Sequence, residues 1–138
     1  MDPENIENIF VETFIVKGKR ERSIFELKSK KKRRDFFSKL CHRYQEIIDM
    51  RWSIKIQTPN SDSTTIYDRL LKNGAGNSCY VMSYFQELDR EKLPTKEALI
   101  QCIGHGMPSI IICTPNELAY FEGEQDSGPP PRFMLKKK

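Results

Sequence analysis

Between Arg34 and Gln57 the apolar residues change their period, and that switch limits what the chain can fold into. Phe36, Phe37, Leu40, Cys41, Tyr44, Ile47 and Ile48 recur at spacings of three and four, with Lys39, Arg43 and Glu46 opposite. This pattern predicts an amphipathic helix over about 34–49 with one face turned to a core. Trp52, Ile54 and Ile56 then alternate with Ser53, Lys55 and Gln57, which is the period of a half-buried strand. A helix that gives way to a strand within a few residues points to an α+β fold.

Upstream, Asp2 can cap a helix and Pro3 suits its first position. Ile6, Ile9, Phe10, Thr13 and Phe14 share a helical face, but the stretch from Phe10 to Val16 is rich in strand-favouring residues. A helix is predicted to about residue 10, residues 11–16 stay open between helix and strand, and Gly18 ends the element. Residues 20–28 (RERSIFELK) favour helix by composition.

Downstream, Pro59 and Asn60 break the first strand. Ser61, Asp62 and Ser63 offer caps to a helix carrying Ile66, Tyr67, Leu70 and Leu71, with Gly74 as its stop. Residues 78–84 read as strand and are followed by a polar loop through Asp89 and Arg90. Thr95 caps a third helix with Ala98, Leu99, Cys102 and Ile103 inward. Residues 109–113 (SIIIC) are apolar enough for a central strand buried on both faces. Residues 117–122 should pair back antiparallel, and 132–138 should add an edge strand guarded by its lysines. Helical crossovers usually join parallel strands. The expected architecture is therefore α+β with an α/β-like C-terminal part. A helical N-terminal third (1–50) packs on a small mixed sheet (51–138) in the order β-α-β-α-β-β. A chain of 138 residues suits one domain with one core.

Charge is spread unevenly. Residues 17–34 hold ten Lys/Arg and two Glu, a net +8, while the whole chain carries only +4, which leaves −4 for the rest. Cations at the start of a helix oppose its macrodipole. Yet Lys28, Lys30, Lys31, Lys32, Arg33 and Arg34 gather where the strongest helix begins. An external anion would relieve the conflict by meeting both side chains and free N–H groups. The competing explanation is a solvated charge run, or docking of the run onto acidic residues of the same chain. No helix-turn-helix spacing, zinc finger or aromatic-interleaved RNA signature accompanies the run, so base-specific reading is not expected.

The remaining chemistry is sparse. Cys41, Cys79, Cys102 and Cys113 form no Cys-x-x-Cys pair and read as reduced, buried thiols. Cys102 and His105, with Cys41 and His42, have ligand-like spacing, but both cysteines project from inward helix faces, so no metal is expected. Glu26-Leu27-Lys28 has the Glu-x-Lys form of restriction-type nucleases but lacks an upstream Asp on a strand. No phosphate-binding glycine loop and no other cofactor motif is present. His105, between two glycines and before the central strand, could serve a ligand site with Ser61, Ser63 and Thr114, near the 113–116 turn. The acidic N-terminus lacks the pattern of a signal peptide and no apolar run nears membrane-spanning length, so a cytoplasmic protein without membrane contact is expected.

The leading expectation is a non-enzymatic accessory domain that binds nucleic acid or an acidic protein surface through Lys28–Arg34, helped by Lys17–Arg22. The alternative is a small hydrolase-like enzyme or ligand binder at the His105 site.

Overall fold

A computed structural model describes residues 2–56, 62–113, 117–125 and 128–137. The fold is α+β: one six-stranded antiparallel sheet carries helices on both faces. No helix among the described residues is long and apolar enough to cross a membrane.

The N-terminal layer contains α1 (Pro3–Phe14), α2 (Arg20–Lys28) and α3 (Arg33–Ile47). Asp2 accepts from the Asn5 N–H and Pro3 opens α1, as the sequence suggests. The helix continues past residue 10 because Val11 and Phe14 are buried on its inner face, and burial outweighs their strand propensity. The strand tendency appears only afterwards: Ile15 bridges Ile48, and the Val16 N–H donates to the Ile47 carbonyl. Gly18 lies inside a 3-10 turn, Lys17–Lys19, that leads directly into α2.

The sheet contains β1 (Ser53–Lys55), β2 (Ser78–Ser83), β3 (Lys92–Pro94), β4 (Ser109–Cys113), β5 (Leu118–Glu122) and β6 (Arg132–Lys136), with α4 (Ser63–Lys72) after β1 and α5 (Thr95–Cys102) after β3. The spatial order is β1-β6-β5-β4-β2-β3.

Two expectations need correction. The sheet is antiparallel throughout, not mixed: β2 and β4 pair antiparallel, with Tyr80 opposite Ile112. The cause is β3, which folds back on β2 before α5 begins, so the helix starts from a reversed chain. The β1–α4–β2 unit does join strands of one direction, but β6, β5 and β4 lie between them. The C-terminal strand is also not an edge. β6 pairs with β5 on one side and β1 on the other, and the Lys136 ammonium donates to the Asn73 side chain.

Alternation along the strands fills both faces. Tyr80, Met82, Ile110, Ile112, Phe121 and Leu135 meet α1–α3. Cys79, Val81, Ile111, Cys113, Tyr120 and Met134 meet α4 and α5. All five residues of β4 are buried, as a central strand requires.

Cys79, Cys102 and Cys113 are free and buried in the second core. Burial pushes their thiols up from an ordinary 9.0 to about 11, 12 and 12. The folded state therefore keeps these protons after the unfolded chain has released them. The stability they contribute is complete below about pH 9 and is lost as pH rises towards 11–12, at roughly 1.4 kcal/mol per pH unit for each thiol. Urea midpoints are expected to hold level near neutrality and fall steeply in this alkaline window. A level midpoint up to about pH 11 would contradict the assignment.

Candidate anion-binding cleft

Residues 30–32 form the turn between α2 and α3. Ser29 organises it: its hydroxyl accepts from the Lys32 N–H at 3.2 Å, and its carbonyl from the Arg33 N–H at 2.9 Å. The turn lies beside Tyr84 and Gln86, which follow β2. Together they enclose a cleft of about 290 Å³. Lys30, Lys31, Arg34, Ser83, Tyr84 and Gln86 line it, above a floor of Arg33, Phe37 and Asp89.

The six cations expected to bind an anion separate into three groups. Lys30 and Lys31 are exposed in the cleft and have no carboxylate partner among the described residues. Arg34 also has none: its guanidinium stands 4.6 Å from the Tyr84 ring centroid and donates to the Tyr84 hydroxyl at 3.0 Å. Lys28 and Lys32 are lightly held at the surface, Lys28 3.2 Å from Glu4 and Lys32 4.0 Å from Asp35. Exposed pairs of this kind are weak, about 0–1 kcal/mol, and exchange readily with another anion.

Arg33 belongs to the fold instead. It is 7% exposed, and its fork meets two carboxylates. Nε and Nη2 donate to Asp89 at 2.6 and 2.8 Å, and Nη1 and Nη2 donate to Glu7 at 2.8 and 2.7 Å. Nη1 also reaches the Leu27 carbonyl at 3.0 Å. Burial opposes the charge, but the bonds to Asp89 and Glu7 outweigh it and hold the guanidinium above its ordinary value. The Tyr80 hydroxyl donates to Glu7, and the Ser83 N–H donates to Asp89. Arg33 therefore ties α1, α3 and the β2–β3 connection together. Its donors are used inside the protein, so its expected place among the anion-binding cations is corrected.

Sequence reasoning did not connect Tyr84, Gln86, Glu7 or Asp89 to the basic turn. Tyr84 appears in the sequence only as the end of a strand, Gln86 and Asp89 only in the polar loop after it, and Glu7 carries no signal. Their roles depend on contacts 26 to 73 residues apart in the chain.

The alternative site is not assembled among the described residues. His105 is exposed, its ring edge-on to Phe85 at 5.7 Å. Ser63 is the first residue of α4, capped by Asp62. Ser61 and Thr114 lie outside the described residues. The chain enters β4 at Ser109, on the His105 side, and leaves it at Cys113 at the other end of the strand. Glu26, the acid of the Glu-x-Lys tripeptide, is buried in α2, with one oxygen shared between Lys39 at 2.6 Å and Arg22 at 3.2 Å. No three His, Cys, Asp or Glu side chains among the described residues converge on a metal-sized site. No family model, curated protein or solved structure matches this chain.

Proposed function

We propose that the chain is a polyanion-binding accessory domain whose ligand is nucleic acid, held by its phosphates at the α2–α3 turn. One observation carries this reading: Lys30, Lys31 and Arg34 line one cleft with no carboxylate of their own, while neighbouring Arg33 is neutralised. A cation that served only to brace the fold would resemble Arg33. Lys32 and Lys28 can join by leaving Asp35 and Glu4. Gln86, exposed in the same cleft, gives it a polar group beside the charges, while the buried Ser83 hydroxyl is held by Ser109 at 2.8 Å and by the Phe85 N–H at 3.0 Å. Such contacts position a backbone without reading sequence. The Lys17–Arg22 group lies at the far end of α2, about 13 Å of helix away, and does not share this cleft. A cytoplasmic setting is consistent with four unpaired cysteines.

The test is a salt series on single-stranded and duplex nucleic acid. A Lys30→Glu/Lys31→Glu/Arg34→Glu variant is expected to bind at least about tenfold more weakly. Three lost phosphate contacts should flatten the slope of log K against log salt by about 2–3. Undiminished binding by that variant would sink the reading. Binding of an acidic protein surface in preference to either nucleic acid would replace the ligand while leaving the residues in place.

A further inference from the structure

We propose that the cavity between α2 and the second half of α3 is a separate site for a compact phosphate dianion, a phosphate monoester. The two helices run antiparallel, so the start of α2 faces the far half of α3. The space between them, about 260 Å³, has an apolar floor of Phe36 and Ile47 and a strongly polar wall. That volume lies just below the usual range of ligand pockets, about 300–1,000 Å³, and suits a small ligand.

Lys19, Arg22, Lys39 and Arg43 converge on this space, against Glu26 and Glu46. Four cations and two carboxylates leave a net +2, which matches a dianion. Glu26, 1% exposed, does not cancel the cluster; it orients it. Its Oε2 accepts both Lys39 Nζ and Arg22 Nε, which fixes two cations on one wall with a single negative charge. Lys19 and Arg43 have no carboxylate partner among the described residues. Arg43 also departs from helical geometry (φ −134°, ψ 29°) at the cavity rim.

The second, independent observation is Ser23. This residue is 4% exposed and lines the cavity, yet no described residue bonds its hydroxyl. That hydroxyl opens on the cavity and holds no bond within the described residues, so a phosphate oxygen can accept from it directly. The fold needs neither the spare hydroxyl nor the two unpaired cations, and a phosphate group would use all three.

The probes are inorganic phosphate and O-phosphoserine, titrated at constant ionic strength and followed by amide chemical shifts and thermal stability. Saturable shifts confined to residues 18–26 and 39–47 are expected. A Lys19→Gln/Arg43→Gln variant, altered only at exposed positions, should bind at least about tenfold more weakly, the equivalent of one charge-assisted hydrogen bond. Ser23→Ala should weaken binding severalfold without changing the melting temperature of the free protein. Tighter binding of the monoester identifies an esterified ligand, and equal binding identifies free phosphate. The Lys30→Glu/Lys31→Glu/Arg34→Glu variant should bind both probes normally, so this site and the nucleic-acid cleft stand or fall separately. Non-saturating shifts, or unchanged affinity in the Lys19/Arg43 variant, would overturn the proposal.

Discussion

Arg33→Ala is expected to destabilise the protein by about 3–5 kcal/mol, read as a fall in the urea midpoint with little change in slope. The substitution removes few apolar contacts; its cost is electrostatic. Glu7 is 5% exposed and Asp89 is largely covered, and each receives two bonds from the same guanidinium. Without it, two carboxylates remain close together with little solvent and only Tyr80 and the Ser83 N–H to hold them. The loss also removes the bridge from α1 to α3 and the β2–β3 connection. Removing the acids as well, in an Arg33→Met/Glu7→Leu/Asp89→Leu variant, should recover much of the loss, because no unpaired charge is left buried. A change below about 1 kcal/mol in Arg33→Ala would show that the network is not the brace described here. In the Arg33→Met/Glu7→Leu/Asp89→Leu variant, which leaves no bare carboxylate beside the cleft, nucleic-acid binding per folded molecule should persist, which separates Arg33 from Lys30, Lys31 and Arg34.

Glu122→Ala is expected to cost a similar amount, about 3–5 kcal/mol. Glu122 ends β5 and is fully buried. It accepts from Arg132 Nε at 2.7 Å and Nη2 at 3.2 Å, from the Gly104 N–H at 2.9 Å, and from the Tyr120 hydroxyl. Burial first, and the neighbouring Glu122 charge second, hold the Tyr120 hydroxyl protonated well above its ordinary range. Alanine would strand a buried guanidinium on β6, a phenol inside the second core and a backbone N–H at once. That N–H belongs to Gly104 at φ +86°, a conformation glycine adopts without strain. Glu122→Gln keeps the shape and some of the bonds and should cost clearly less. Equal losses in the two variants would show that the missing charge, and not the missing shape and hydrogen bonds, sets the cost.

Hydrophobic period made much of the fold legible. The stripe from Phe36 to Ile48 predicts α3 to within about two residues, and the unbroken run of 109–113 predicts the buried centre of the sheet. Strand direction was not legible, because it turns on β3. Three residues ending in proline carry almost no strand signal, yet this short hairpin arm reverses the chain before α5. The continuation of α1 was hidden for a different reason: Val11 favours a strand until an opposing layer buries it.

At the candidate site, composition located the basic turn but could not sort its cations. Arg33 and Arg34 are adjacent and chemically identical. One turns inward to acids supplied by α1 and the β2–β3 connection, and the other lies outside on Tyr84. Helical geometry sets neighbours about 100° apart, so one side chain can be interior while the next faces solvent. Only knowledge of the opposing elements decides which.

The position of β6 has a consequence for how the protein is made. Residues 53–55 leave the ribosome early, but among the described residues their only strand neighbour is the segment 132–136. Until that late segment emerges, β1 has nothing to bond with, and the β1–α4–β2 unit spans a gap that three strands must later fill. Helices of the amino-terminal layer can form locally during synthesis, whereas closure of the sheet waits for nearly the whole chain. A nascent chain stalled before residue 132 would expose the partner edges of both β1 and β5, and would depend on folding helpers or fast completion to avoid sticking to its neighbours.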